Sequence, residues 1–224
     1  MHLNKVDIKK TYSKQEFLKS TSQTIVQIAN ERIKESGKFS FVLSGGVTPK
    51  YIFRDLAENH QDSLDWSRVD FFWLDERCVD PSHEDSNYKL AYDHLISKLK
   101  SVGSIHRIPG EKFPIKAAKD YELDIINYFL EKEVKFDFIL LGMGSDGHVA
   151  SLFPGSQELK IIDKIVLSTD KKHNGYSRVT LSSSAINRSL FNLLILSDKM
   201  KYEKYKEKNL PKDLIRFDKV IVQL

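Results

Sequence analysis

The sequence predicts an α/β protein with a mainly parallel sheet and helices on both of its faces, in a Rossmann-like three-layer arrangement. Short apolar runs such as residues 39–43 and 138–141 have the length and composition of buried parallel strands. Segments with helical spacing of apolar residues separate these runs, and this alternation favours parallel pairing. At 224 residues, the chain has the size of a single domain with a full core, spanning residues 1–224.

In the first half of the chain, capping signals mark where helices begin and end. Ser13 and Glu16 form a capping-box pattern ahead of the first helix, and Gly37 ends it. Thr48 suits the N-cap of the second helix, and Pro49 suits its first helical position. The other elements predicted here are strands over 39–43 and 69–74, a helix over 49–59, a polar loop over 79–85 and a helix over 87–99 capped by Ser86.

The second half continues the alternation of strands and helices. A helix over about 115–132 carries an apolar stripe that indicates core packing. A lysine-rich helix is predicted to begin at Asp198. The remaining predicted segments are an extended piece over 105–108, strands over 138–141, 165–167, 178–181, 191–196 and 219–223, and a mobile loop over 170–175.

Composition indicates a soluble globular protein with no nucleic-acid partner and no membrane association. Hydrophobic residues make up 41% of the chain and charged residues 29%, and no apolar run approaches membrane-spanning length. The net charge of +4 is mild, and the lysines are interleaved with acids, so no basic stripe for nucleic acid is present. The single cysteine, Cys78, excludes an internal disulfide and fits a reducing, cytoplasmic compartment.

A glycine-rich turn that carries Asp146 and His148 follows the predicted strand over residues 138–141. Gly142, Gly144 and Gly147 allow the backbone to turn sharply and to approach a ligand closely. Three interpretations stay open from these residues: a tight turn, a dinucleotide site of the GxGxxG type, and a hydrolytic site with His148 as general base. The dinucleotide site is disfavoured because that motif opens a long helix, whereas a proline and a glycine follow here within two turns.

The predicted strand over 39–43 runs directly into Ser44, Gly45 and Gly46, with Thr48 two residues further along. Adjacent glycines expose backbone N–H groups where the dipole of the following helix favours an anion, and hydroxyl groups flank them. The segment lacks the Gly-Lys-Ser/Thr ending of a nucleotide P-loop, so it favours a phosphate ester smaller than ATP. A plain tight turn between strand and helix is the alternative.

Three charged residues, Asp75, Glu76 and Arg77, directly follow another predicted strand. At this place they can face the ligand crevice of an α/β sheet, although solvated loop residues are the alternative. Cys78 could act as a nucleophile, but no feature marks it as activated, so a packed thiol is favoured. A histidine and an aspartate in the following loop could bind a metal ion, but a polar loop before a helix explains them better.

Four segments resemble the 6-phosphogluconolactonase family, within the larger group that includes glucosamine-6-phosphate isomerase/deaminase. SGGVTP at 44–49 is similar to the family's phosphate loop, and LDERCVDPSHEDSNYKL at 74–90 is similar to its DER and DSNY segment. LLGMGSDGHVASLFPG at 140–155 is similar to its GMG-x-DGH-x-ASLFPG signature, and RVTLSSSAIN at 178–187 to its RVTL segment. The match covers nearly the whole chain, and four motifs in the right order make it specific.

The resemblance implies hydrolysis of 6-phosphogluconolactone to 6-phosphogluconate in the pentose phosphate pathway, with no metal and no organic cofactor. It implies that His148 takes a proton from the attacking water. Asp75 and Asp146 would hold sugar hydroxyls or orient the histidine, and Arg77 or N–H groups of the turn would stabilise the oxyanion. Arg178 would clamp the phosphate, because its planar fork matches phosphate oxygens. The implied substrate-binding residues are Ser44, Gly45, Gly46, Thr48, Arg77, Gly144, Gly147, Arg178 and Lys199, with Lys201 as the alternative to Lys199.

The partner that we expect is a small-molecule sugar phosphate lactone, bound by a monomer or a weak homo-oligomer. Two rival functions are a glucosamine-6-phosphate deaminase and a non-catalytic sugar-phosphate sensor. The deaminase branch carries a glutamate where this chain has Phe153, and an aromatic ring cannot transfer protons. The retained DGH and DER residues disfavour the sensor, because a pure binder needs no general base. Val47 and Val149 depart from the family pattern, which often has a hydroxyl residue at these positions.

Overall fold

The structure is a computed structural model that describes residues 6–130, 133–169 and 172–224. Within these residues the chain forms ten strands and six α-helices. The strands are β1 (Asp7–Thr11), β2 (Phe39–Leu43), β3 (Val69–Trp73), β4 (Asp75–Arg77), β5 (Ile105–His106), β6 (Phe138–Gly142), β7 (Val166–Ser168), β8 (Arg178–Leu181), β9 (Phe191–Leu196) and β10 (Lys219–Gln223). The helices are α1 (Lys14–Ser36), α2 (Val47–Asn59), α3 (Asn87–His94), α4 (Pro114–Tyr128), α5 (Ser183–Asn187) and α6 (Lys199–Lys206).

Seven strands pair in parallel to form the main sheet, in the order β1-β10-β9-β6-β2-β3-β5. β2 and β3 are buried along their whole length, as expected for apolar runs covered on both sides. Helices flank this sheet: α1 packs against α2 and α2 against α3, while α6 packs against β9 and β10. The predicted α/β class with a mainly parallel sheet is confirmed. Among the helices of the described residues, none combines the length and the apolar composition needed to cross a membrane.

A second, smaller sheet is antiparallel and has the order β4-β8-β7. In it Asp75 pairs with Thr180, and Arg77 pairs with Arg178. The N–H of Leu181 donates to the carbonyl oxygen of Leu74 at 2.9 Å, which joins this sheet to the end of β3. The sequence indicated a polar strand end at residues 75–77 rather than a strand. Its pairing partner lies far along the chain, so local composition does not reveal it.

Several element boundaries differ from the predictions. α3 ends at His94, and a 3-10 turn at Ile96–Lys98 follows it. α4 ends at Tyr128 and a turn follows at residues 129–130, so the helix ends before the predicted residue 132. Residues 131–132 and residues 170–171 of the predicted mobile loop lie outside the described residues. β1 and α5 were not predicted, because β1 is a polar edge strand in which only Thr11 is buried, and α5 has only 5 residues.

Aromatic side chains fill the centre of the core and connect the helices to the main sheet. The rings of Phe41 and Phe138 meet edge to face with their centroids 5.5 Å apart. Tyr121 of α4 accepts a hydrogen bond from the N–H of Trp73 and donates one to its carbonyl oxygen, both at 2.9 Å. These two bonds fix α4 to the last residue of β3, just before the chain enters β4.

Candidate active site

A cavity opens at the carboxyl ends of β2, β6 and β9, near the middle of the main sheet. This is the edge at which open α/β sheets place their ligands. It contains both His148 and the loop at residues 44–48. The residues that line it are Ser44, Gly45, Gly46, Val47, Thr48, Pro49, Asp75, Arg77, Asn87, Gly142, Met143, Gly144, His148, Ala150, Arg178, Ile195 and Lys201.

The loop after β2 presents the N-terminus of α2 to the cavity. α2 begins at Val47 with Gly46 as its N-cap, so the prediction of Thr48 as the N-cap is wrong. Gly46 has a φ of 100°, a conformation that side chains disfavour, and this turn starts the helix earlier than a threonine cap would. Pro49 lies in the first turn, where its missing N–H breaks no helical hydrogen bond. The exposed N–H groups and the helix dipole favour an anion here.

His148 and Asp146 form a hydrogen-bonded pair at the other side of the cavity. Nδ1 of His148 lies 2.5 Å from Oδ1 of Asp146, and the backbone N–H of His148 donates to the same oxygen at 3.1 Å. Burial raises the pKa of the Asp146 carboxyl, but the hydrogen bonds and charge of His148 outweigh it, so the pKa lies below its ordinary value. Nε2 of His148 has no hydrogen-bond partner among the described residues, which leaves this nitrogen free for a ligand or a water molecule.

Gly144 makes room for this pair. A Cβ at position 144 would lie 2.2 Å from Cε1 of His148 and 2.7 Å from Oδ1 of Asp146, which no real side chain allows. The backbone N–H of Gly144 donates to the carbonyl oxygen of His148 at 2.9 Å and closes the turn. Gly144 therefore has a steric role besides lining the cavity.

An aromatic stack supports one side of the His148 ring. The ring centroid of Phe153 lies 4.6 Å from that of His148. The His173 ring stacks on Phe153 with centroids 3.5 Å apart and an angle of 9°. His173 and Tyr176 pair in a tight turn at the end of the loop predicted over 170–175. Burial and then the charge of Arg178 lower the pKa of His173, which favours its neutral form at pH 7.

Asp75 is buried at the start of β4 and is held by several neighbours. Its Oδ2 accepts a hydrogen bond from Oγ of Ser151 at 2.6 Å, and its Oδ1 accepts one from Nδ2 of Asn87 at 3.2 Å. Nη1 of Arg178 lies 3.8 Å from Oδ2, and both side chains are only 8% exposed. The carboxylate therefore has a fixed orientation beside the cavity.

Arg77 and Arg178 face each other across the β4–β8 pair, and both line the cavity. Nη1 of Arg77 donates to the carbonyl oxygen of Asp85 at 2.6 Å, and Nη2 of Arg178 donates to that of His173 at 3.5 Å. Burial lowers the pKa of Arg178, the charge of Asp75 opposes this effect, and the charge of Arg77 adds to it. The Nε atoms of both arginines are buried without a partner in the described part of the chain. Two neighbouring guanidinium groups favour an anionic ligand.

The described ranges contain no cluster of three or more histidine, cysteine, aspartate or glutamate residues arranged to hold a metal ion. His83 and Asp85 lie near each other, with Nδ1 of the histidine 3.9 Å from the carboxylate. Asp85 also accepts a hydrogen bond from the hydroxyl of Tyr176 at 2.7 Å. These contacts agree with the interpretation of this loop as a polar connection.

A family model described as glucosamine-6-phosphate isomerases/6-phosphogluconolactonase matches residues 12–213 of the chain. The chain belongs to this family.

Named relatives and solved structures agree with this membership. The chain is 37% identical over 188 residues to "6-phosphogluconolactonase 3, chloroplastic" of Arabidopsis thaliana, covering 79% of this chain and 58% of that protein. It is 36% identical over 168 residues to the 6-phosphogluconolactonase of Treponema pallidum, covering 74% and 70% of the two chains. The crystal structure of a Thermotoga maritima 6-phosphogluconolactonase aligns with a TM-score of 0.85 at 29% identity, over 98% of this chain and 99% of that one. A Shewanella baltica 6-phosphogluconolactonase aligns with a TM-score of 0.87 at 26% identity, over 99% of each chain. The chain thus spans less than two thirds of the Arabidopsis protein and nearly all of both solved structures.

Most of the site residues that the family resemblance implies meet at the cavity, but three do not line it. Asp146 stands behind His148, to which it is hydrogen-bonded. Gly147 has a φ of 86° and serves the turn, and a Cβ there would lie 2.7 Å from the side chain of Leu210. Lys199 is the exposed first residue of α6, whereas Lys201 lines the cavity. The cavity lining therefore favours Lys201, the alternative given above, over Lys199. Two residues further along a helix rotate the side chain by about 200° around its axis, which explains the difference.

Sequence reasoning missed three residues of this family member's cavity region. Asn87 and Ser151 hold Asp75, and both lie inside segments that carry the family resemblance. Their position in those segments was the available signal, but contact with Asp75 depends on tertiary structure. Ala150 lines the cavity with a φ of 55°, in the left-handed region that residues other than glycine rarely adopt.

Proposed function

We propose that the protein hydrolyses 6-phospho-D-glucono-1,5-lactone to 6-phosphogluconate, a reaction of the pentose phosphate pathway. The observation that carries this proposal is the shared cavity, which has the His148–Asp146 pair on one side and the anion-favouring loop at residues 44–48 on the other. A phosphorylated lactone needs both features, since one end must be held and the other attacked. Membership of the family and the names of its relatives support this substrate.

In this reaction His148 is the general base. Because Asp146 occupies Nδ1, Nε2 takes the proton from a water molecule as the water oxygen bonds to C1 of the lactone. The ring bond between C1 and O5 then breaks, and O5 takes the proton from Nε2. Asp146 fixes the tautomer and stabilises the imidazolium that forms between these steps.

The developing negative charge and the phosphate need separate partners. Arg77 and the N–H groups of the turn that begins at Gly144 are the proposed donors to the oxyanion. The phosphate rests on the loop of residues 44–48, with Arg178 and Lys201 supplying positive charge. Asp75, fixed by its neighbours, accepts hydrogen bonds from sugar hydroxyls.

The decisive experiment offers freshly made 6-phosphogluconolactone and glucosamine 6-phosphate to the purified protein. Acid release and ammonia release are followed in parallel, with the spontaneous hydrolysis of the lactone subtracted. We expect rapid acid release and no ammonia. Acid release at the spontaneous rate would reject lactone hydrolysis.

His148→Asn should abolish turnover while phosphate binding and the fold persist, and unchanged turnover would remove His148 from the mechanism.

Arg178→Ala tests the phosphate clamp. We expect it to weaken binding of the phosphorylated lactone much more than that of a non-phosphorylated lactone, because only the former carries the dianion. Measuring kcat/KM on both substrates checks this. Equal losses on the two lactones would refute the assignment.

Phe153 favours hydrolysis over the isomerase and deaminase activity of the larger family. At this position the deaminase branch has a glutamate, whereas here a buried aromatic ring packs against His148. No proton can be exchanged at that ring. Ammonia release in the parallel assay would contradict this reasoning.

We also infer that residues 1–224 act as a single domain in the cytoplasm, as a monomer or weak homo-oligomer, without metal, cofactor or nucleic acid. The free, partly buried Cys78 supports a reducing compartment. Cell fractionation and analytical ultracentrifugation would test these points.

A further inference from the structure

Asn87 occupies a place in the cavity that nothing above assigns to binding or to chemistry. It is the first residue of α3 and is 2% exposed. Its backbone N–H donates to Oε1 of Glu76 at 2.8 Å. The same carboxylate accepts hydrogen bonds from the Ser86 hydroxyl at 2.9 Å and from the Tyr88 N–H at 2.8 Å. The main chain at Asn87 is therefore held rigidly.

The side-chain amide of Asn87 is oriented by Asp75. Nδ2 donates to the backbone oxygen of Asp75 at 2.8 Å and to its Oδ1 at 3.2 Å. Both partners are acceptors only, so the amide nitrogen must lie on this side and the amide oxygen on the other. The amide thus fixes one carboxylate oxygen of Asp75, while Ser151 fixes the other.

The amide oxygen of Asn87 lies against the loop at residues 44–48. A Cβ at Gly45 would be 1.8 Å from Oδ1 and 2.2 Å from Cγ of Asn87. The backbone of Gly45, unlike that of Gly46, is not in the left-handed region, so its φ angle does not itself require glycine. The three heavy atoms nearest to such a Cβ all belong to the amide of Asn87. Oδ1 is buried without a donor in the described residues, so no hydrogen bond explains why it lies there.

We propose that Asn87 is a positioning residue that sets the Asp75 carboxylate and the loop at residues 44–48 at a fixed separation, and that position 45 must be glycine because of this amide. The inference rests on the proposed function, since it assigns the two ends of a sugar phosphate to these two groups. Asn87 itself transfers no proton and forms no bond.

A double-mutant cycle tests this proposal. Asn87→Ala releases Asp75, and Gly45→Ala forces the amide away from the loop, so each should lower kcat/KM by about tenfold or more. In the double variant the added methyl group fills space that the amide has left. The double variant should therefore stay within about threefold of the worse single variant. Losses that multiply would overturn the proposal, as would wild-type activity in either single variant.

Gly142→Ala supplies the matched control. Position 142 also lines the cavity, but a Cβ there would meet only Oγ of Ser44, at 3.9 Å. Its effect should multiply with that of Asn87→Ala, because the two changes share no contact. If this pair is as non-additive as the first, the coupling is not specific to Gly45 and the proposal fails. Asn87→Ser replaces Asn87→Ala if the alanine variant does not fold.

The same cycle in thermal unfolding separates this inference from the proposed reaction. Gly45→Ala should lower Tm in the wild-type background and leave it nearly unchanged in the Asn87→Ala background. That result needs no substrate. A protein that fails to hydrolyse the lactone but shows this pattern would reject the proposed function and retain the steric link. Equal Tm losses in both backgrounds would reject the link.

Discussion

The geometry of the site depends on the absence of a side chain at Gly144. The His148 ring and the Asp146 carboxylate both lie within the volume that a Cβ would occupy. The backbone φ of Gly144 is not in the left-handed region, so the restriction comes from these two side chains and not from the main chain. A small change here acts on His148, the proposed general base, and not on the loop at residues 44–48.

We therefore expect Gly144→Ala to lower kcat by about 10²-fold or more, since a displaced base loses most of its contribution. KM should change far less. Steady-state kinetics measure both quantities, and Gly142→Ala, which meets only one atom at 3.9 Å, should keep more activity. Equal kcat values for the two variants would contradict the steric argument.

Cys78 is a residue whose reactivity the structure predicts to be low. Burial, followed by the negative charge of Glu76, raises the pKa of its thiol to about 11. The thiolate is the nucleophile, so the raised pKa means that almost all of the thiol stays protonated at pH 8.

We expect alkylation of Cys78 by iodoacetamide to be slow at pH 8 and to accelerate as the pH approaches 11. Mass spectrometry gives the rate, and the protein unfolded in urea serves as the control for an unperturbed thiol. Fast alkylation of the folded protein at pH 8 would show that the raised pKa is wrong.

At the scale of elements, the aromatic stack joins two segments that are otherwise far apart in sequence. Phe153 lies near the end of the segment 140–155, and His173 belongs to the turn before β8. Arg178, the first residue of β8, also lies over the Phe153 ring, with Cζ 5.7 Å from its centroid. The loop that carries His148 is thereby packed against the strand that carries Arg178.

We expect Phe153→Leu to lower kcat by about tenfold with a smaller change in KM, because the imidazole loses the ring that limits its rotation. Phe153→Tyr keeps the ring and should keep most of the activity. Kinetics of the two variants, with circular dichroism to confirm folding, decide the matter. The idea is wrong if leucine and tyrosine perform equally.

At the scale of the whole molecule, the cavity depends on the contacts that hold the helices against the main sheet. Tyr121 connects α4 to Trp73, directly before the chain turns into β4 and its site residues. Both bonded groups of Trp73 are buried, and neither can find water if the hydroxyl is removed.

Tyr121→Phe should therefore lower the free energy of unfolding by about 1–3 kcal/mol, as expected for unpaired buried polar groups. Urea denaturation measures this difference. Tyr12→Phe is the control, because Tyr12 is 74% exposed and should change stability by less than about 0.5 kcal/mol. A neutral Tyr121→Phe variant would show that the two hydrogen bonds stabilise little.

The sequence predicts those parts of the fold and the site that depend on neighbouring residues, and fails for those that depend on tertiary contacts. β2, β3, β6 and β9 are mostly apolar runs, so consecutive residues of the sequence predict their burial. β1 and β4 are polar, and they form strands because they pair with β10 and β8, which are distant in sequence. Residues 44–48 directly follow the apolar strand β2, and His148 lies in the loop after the apolar strand β6, which makes them predictable. Asn87 and the exchange of Lys199 for Lys201 depend on helix phase and tertiary contact, which local patterns do not fix.

The pairing of β1 with β10 has a consequence for biosynthesis. Thr11 and Gln223 are neighbours in register, and Thr11 Oγ1 donates to the carbonyl oxygen of Val222 at 2.9 Å. During translation, β1 leaves the ribosome long before its only strand neighbour in the described sheet has been made. β1 therefore waits until residues 219–223 have been synthesised, and a stop codon just upstream of β10 would leave it without this partner.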